Sequence, residues 1–169
     1  MQKFVFNTIL ISMLLLFSSC GSMGENRTNM LNKQSEDEMS INYLEQIIEL
    51  INIKDKSKIA SLFSEQAQID AKDLDESIDY LFAIIEGDIK TWDKIGGNVS
   101  ESVQGGIVLV EFTYRFKIYT DKEQYIFSVR GYSKDTNNPK NIGLYSLKVF
   151  NVKCEPPLFR GAGIYIEIN

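Results

Sequence analysis

The side chains best suited to chemistry in this chain are aromatic. Trp92, Tyr114 and Tyr145 stand in segments with strand patterning. A ring with a polar tip can hold the apolar body of a ligand and orient it through one hydrogen bond. Core filling is the commoner use of such rings, so each of the three is both a ligand-binding candidate and a packing residue. The carboxylates are less promising. Asp93 follows Trp92 directly, and adjacent strand residues point to opposite faces. Glu111 alternates away from Tyr114 and is expected to face solvent. No two carboxylates are fixed toward each other by spacing, so no acid–base dyad can be built and no catalytic residue is assigned. Arg130 could hold an anion, but its place in the alternation favours a surface charge on the outer face of its strand.

The sequence of 169 residues contains no histidine. That removes the commonest general base, the usual metal ligand and the Ser–His and Cys–His nucleophile pairs. Of the two cysteines, Cys20 lies in the leader discussed below. Cys154 then stands alone, without an internal disulfide partner. The acidic run Ser35 to Glu38 lacks the Gly-centred ligand spacing of a calcium loop. No metal site and no cofactor are implied. A formal charge of −5 argues against nucleic acid as a partner.

The elements that must position these side chains begin after a leader. Met1-Gln2-Lys3 is a short positive start, and Phe4 to Phe17 is mostly apolar. The run is shorter than the 20 or so apolar residues that a spanning helix needs. Small residues Ser18 and Ser19 then precede Cys20. This is the layout of a secretory signal peptide, and the Cys resembles that of a bacterial lipobox, with Phe17 where Leu is usual. The expectation is a signal peptide over 1–19, palmitate-type acylation of Cys20 and a flexible tether over 20–40. The last of these is rich in Gly, Ser, Asn and charge. It places the protein on the extracytoplasmic face of a membrane, held by lipid.

Residues 41–169 read as one α+β domain. Ile41, Leu44, Ile47, Ile48 and Ile51 have helical spacing, with Ser40 as N-cap. A second helix covers 56–63. A third begins after Asp73, which has Glu76 at the capping-box position, and ends before Gly87. Strands are expected over 89–95 and 99–103, separated by a Gly96-Gly97 turn. "IVLVEFTYRFKIYT" alternates cleanly, with Val110, Phe112, Tyr114, Phe116 and Ile118 on one face. "TDKE" is a hairpin loop. "QYIFSVRGY" and "GLYSLKVFNV" complete an antiparallel sheet, the latter with Tyr145, Leu147 and Val149 inward.

The stretch "INIKDKSKIASLFS" resembles the helix-break-helix opening of the nuclear-transport-factor-2-like, or cystatin-like, cone fold. "DLDESIDYLFAIIEGDIKTWDKIGGNVSESVQGG", "DTNNPKNIGLYSLKV" and the terminal Gly163-Ile164-Tyr165 resemble a bacterial lipoprotein family, domain of unknown function 5104. The likeness covers roughly 41–166. It implies N-terminal helices on a curved antiparallel sheet, and it brings no activity or catalytic residues. In "EQAQIDAKD" the hairpin usual between the second and third helices is reduced.

Turn chemistry alone explains the polar cluster Asp135 to Asn141, since Asn tolerates positive φ and Pro fixes φ. The other reading is a polar rim at one end of the cone, with Asp135 and Lys140 contacting a partner. The functional expectation is a lipid-anchored extracytoplasmic binding module for a small molecule or peptide. Two alternatives stand beside it. One is an isomerase- or dehydratase-type enzyme using an Asp or Tyr inside the cone (Asp79, Asp93, Tyr80, Tyr114, Tyr145). The other is a protein-interaction domain using the outer sheet face, with Thr113, Arg115 and Tyr119 exposed.

Overall fold

The computed structural model describes residues 22–152 and 163–167. The leader 1–19, Cys20 and Cys154 lie outside them. The chain divides into a unit up to Ser35 and a compact unit Glu36–Asn169. The fold is α+β. Its elements are α1 (Ser22–Ile53), α2 (Lys56–Leu62), α3 (Glu65–Asp70), α4 (Leu74–Ile84), β1 (Ile89–Gln104), β2 (Ile107–Thr120), β3 (Gln124–Asp135), β4 (Gly143–Asn151) and β5 (Gly163–Glu167). A single 3-10 turn at Pro139–Asn141 precedes β4.

The helices form where apolar spacing and caps agree. Leu44, Ile47 and Ile51 line the buried face of α1, as their spacing predicts. Asp55 starts α2 by accepting from the Lys58 N–H, and Ser64 starts α3 by accepting from the Ala67 N–H. Asp73 stands at the N-cap of α4 but makes no side-chain cap bond. Its backbone is left-handed at φ 54°, not the extended conformation typical of an N-cap. Ser40 is no cap either. It is buried inside α1, and its hydroxyl donates to the Asp37 carbonyl at 2.7 Å. The compact unit starts at Glu36 rather than at Ile41 because the polar turn before Ile41 finds partners on the sheet. Lys94 grips the Asp37 carboxylate at 2.6 and 2.7 Å, and Ser133 donates to Glu36 at 2.7 Å. The segment after α2 is the short helix α3 in place of a hairpin.

Five strands lie in the order β1-β2-β3-β4-β5. The first three pairings are antiparallel, and β4–β5 is parallel. The sheet is thus mostly antiparallel, as expected, and "GIY" adds a fifth, parallel strand beside β4. Central registers follow the period-two pattern: Tyr114 opposite Val129, Phe116 opposite Phe127, and Val129 opposite Leu147. These inward rows meet α1, α2 and α4 in one core, which includes Phe63, Ile59, Ile78 and Leu81. Full burial of each such side chain is worth roughly 1.5–3 kcal/mol against leaving it exposed.

No turn forms at Gly96-Gly97. β1 runs straight through it, with one extra residue taken up as a register shift between Lys94 and Gly96. Gly97 lies opposite Tyr114, and a methyl group there would overlap the Tyr114 ring. The glycine pair thus serves close approach, not chain reversal. Gly97→Ala should lower unfolding free energy by about 1–3 kcal/mol, the usual cost of overpacking, in urea titrations followed by far-UV circular dichroism. An unchanged midpoint would refute this account of Gly97.

Candidate functional site

The three aromatic candidates lie in different surroundings. Trp92, half-buried on β1, meets Phe116 edge-on with ring centroids 5.5 Å apart. Tyr114 is 2% exposed in the core. The Lys94 ammonium sits 5.6 Å from its ring centroid. Burial raises the Tyr114 phenol above its ordinary pKa, and the carboxylates of Asp37 and Glu36 add to the effect. Tyr145 is on β4, where the partner pairing steps from Arg130–Ser146 to Gly131–Leu144. Tyr145 is the extra residue at that step. Its side chain still packs partly against the core cluster of Leu147 and Val149, with which its spacing grouped it, while its ring meets Tyr132 and Arg130.

Tyr145 belongs to a polar network. Glu111 and Arg130, both on the sheet face opposite the core as alternation predicts, form a two-point ion pair at 2.8 and 2.9 Å. The guanidinium also donates to the Tyr132 hydroxyl at 2.8 Å. It lies 5.5 Å from the Tyr132 ring centroid and 5.2 Å from that of Tyr145. Two rings and a carboxylate thus hold one cation rigidly. The Tyr145 hydroxyl donates to Asp70 at the end of α3, at 2.9 Å. Glu111, Arg130 and Tyr145 were legible singly in the sequence, whereas Tyr132 and Asp70 were not. Their meeting depends on the register step, which carries no sequence signal.

The loop after β3 is structural. Asp135 accepts from the backbone N–H groups of Asn137 and Asn138 and from the Asn141 amide, at 2.9, 2.9 and 2.7 Å. These bonds, led by that of Asn141, hold its carboxyl below the ordinary range. Asn138 donates to Gln66, and Lys140 pairs with Glu65, so the loop is tied to α3.

The acid–base candidates are at the surface. Asp79 is paired with Lys56 at 2.7 Å with its side chain mostly exposed, and exposed Asp93 accepts from the Tyr119 hydroxyl at 3.0 Å. Tyr80 is also exposed. The buried carboxylates among the described residues are Asp135 and Glu36. Spacing missed Glu36, because a glutamate in a charged run looks solvated. Its Oε2 is buried without a hydrogen-bond partner.

An open depression of about 390 Å³ lies between α1 and α2. Met39, Asn42, Tyr43 and Gln46 line it from α1, and Ser61 and Leu62 from α2. None of these side chains is charged. Gln46 donates to the Asn42 carbonyl and Ser61 to the Lys58 carbonyl, so the walls present oriented amides and hydroxyls beside two apolar side chains. The sequence held no signal for this site, since each lining residue reads as the polar or flanking side of a helix.

Residues 46–153 match the model of a family described as a domain of unknown function (DUF5104). The chain belongs to this family. Of the residues lining the depression, the match takes in Gln46 on α1 and both Ser61 and Leu62 on α2, together with the whole of the Arg130 network. No curated protein matches the sequence.

Tyr145 makes the network measurable. Burial, followed by the bond to Asp70, pushes its phenol up to about 12. A raised phenol keeps its proton in the folded state where the unfolded chain has lost it. Its contribution to stability is therefore fully present below an unfolded pKa of about 10. It is lost as the pH rises from there through about 12. Ultraviolet titration should show a tyrosinate band near that pH that disappears in Tyr145→Phe. The variant should also flatten the alkaline fall in stability. A titration curve identical in both proteins would refute the assignment.

Proposed function

We propose that this protein is a lipid-anchored, extracytoplasmic binding module whose ligand is a neutral, polar small molecule or a short peptide. The observation that carries this reading is the uncharged depression between α1 and α2. Its volume falls within the usual 300–1,000 Å³ of ligand pockets. Amide and hydroxyl groups placed on two helices suit the donors and acceptors of a peptide-like ligand, while Met39 and Leu62 offer apolar contact. Trp92 and Tyr145 are the two aromatic candidates with surface left to offer a ligand, since Tyr114 is packed into the core. The rival enzyme reading draws support only from Glu36, because Asp79 and Asp93 are exposed and already paired.

Support for the anchor comes from the leader. None of the described helices is long and apolar enough to cross a membrane. One acyl chain binds a membrane only marginally, so retention needs the two or more chains of lipoprotein processing on Cys20. Cys20→Ala should abolish incorporation of labelled fatty acid. Continued labelling of the variant would overturn the anchor.

The ligand reading is tested by melting-temperature scans against neutral metabolites and short peptides, because a ligand specific for the folded state must raise stability. A ligand found in this way should bind roughly tenfold more weakly to Asn42→Ala/Gln46→Ala, the scale of one or two lost hydrogen bonds. No shift with any compound, or a shift that the double variant leaves intact, would remove the depression as the binding site.

A further inference from the structure

β1 is an edge strand of 16 residues, about three times the usual length. It pairs with β2 on one side, and among the described residues no strand lies on the other. Long open edges invite pairing with another chain, and proteins commonly blunt them with charges, proline or bulges. The first half of β1 is blunted in this way. It carries Lys90 and Lys94 and register shifts at Ile89/Thr91 and Lys94/Gly96. The second half, Gly97 to Gln104, has no proline, no shift and one charge, Glu101. It also leaves apolar surface open: Val103 is 67% exposed and Ile95, at the shift, 47%.

We propose that β1 pairs antiparallel with β1 of a second copy of this chain, joining two five-stranded sheets into one. The charges of the strand select the occupant and the register. With Asn98 on the two-fold axis, Gly97 falls opposite Val99 of the second copy and Gly96 opposite its Ser100, and Ile95 is the extra residue at the shift. Lys94 then meets Glu101 of the second copy, and Trp92 meets its Val103, each pair occurring twice. The faces agree. Trp92, Lys94, Gly97, Val99, Glu101 and Val103 all stand opposite inward or core-side residues of β2 (Ile118, Phe116, Tyr114, Phe112, Val110 and Val108), so each pair would lie on one side of the joined sheet. The shift at Lys94/Gly96 makes this possible, because without it Lys94 and Glu101 would have opposite parity. Lys94 already holds Asp37, and its remaining hydrogen can point to the second carboxylate. Paired from Trp92 to Val103, the strands would run together for about 35 Å at 3.3 Å per residue.

Pairing on this axis sets residue 98 of one copy against residue 98 of the other, at the Cα separation a disulfide spans, about 5.5 Å. The test uses the full chain with Cys20→Ala and Cys154→Ser, so that no native thiol takes part. Mild oxidation of Asn98→Cys in this background should give at least about tenfold more disulfide-linked dimer than Ser102→Cys, whose sulfurs would lie far beyond bonding distance. Adding Glu101→Lys should reduce the Asn98→Cys product severalfold by setting like charges across from each other. Equal cross-linking of the two cysteine variants would show random collision and overturn the proposal. So would a monomeric Asn98→Cys protein, or a monomer mass for the parent background by light scattering at about 100 μM, far above the Kd of a specific interface.

Discussion

The inward row of β2, Phe112-Tyr114-Phe116-Ile118, is the constraint on which the rest of the structure depends. Each of these side chains is at most 2% exposed. A one-residue slip on either flank would carry the whole row to the other face. That penalty sets the pairing of β3, with Val129, Phe127 and Tyr125 opposite Tyr114, Phe116 and Ile118. It also dictates what α1 must present, since Tyr43 stacks near-parallel on Phe112 at 6.4 Å. On the edge side, the Tyr114 ring leaves no room for a side chain at residue 97, and the neighbouring strand meets that demand with glycine.

Departures from regular pairing are where polar chemistry gathers. The step on β4 brings Tyr145 to Arg130, while Glu111 holds the guanidinium from β2. The step on β1 turns Lys94 toward Asp37 of α1. In both places an inserted residue changes which way a side chain is presented, and a charged group uses the change: the Arg130 guanidinium meets the Tyr145 ring, and Lys94 pairs with Asp37. Ion pairs of this kind add little stability when exposed. Arg130, with 16% of its side chain exposed, is the better-shielded case, and its value lies in fixing the geometry of two tyrosines.

The two surfaces open to partners differ in character. The depression between α1 and α2 is small, uncharged and formed by side chains on helices whose positions the core determines. The β1 edge is long, backbone-rich and carries charges that complement themselves under two-fold rotation. One suits a ligand with a few hydrogen-bonding groups, the other a second strand. They share no residue.

Much of the architecture was legible in the sequence because burial imposes periods. The stripe of α1, the alternation of β2 and β3 and the outward placement of Glu111 and Arg130 follow from spacing alone. The loop at Asp135 follows from turn chemistry. The expected leader and Cys20 lie outside the described residues. Tertiary structure decided what depends on partners distant in the chain. The polar turn Glu36–Ser40 joins the compact unit because Lys94 and Ser133 await it. Gly96-Gly97 continues a strand because Tyr114 lies across it. "GIY" becomes a parallel strand because β4 has an open side, and Tyr145 reaches Arg130 and Tyr132 because its strand carries one residue too many. Local sequence records which face a residue prefers. Which surface that face meets, and where a register must step to let it, is determined by the packed neighbours.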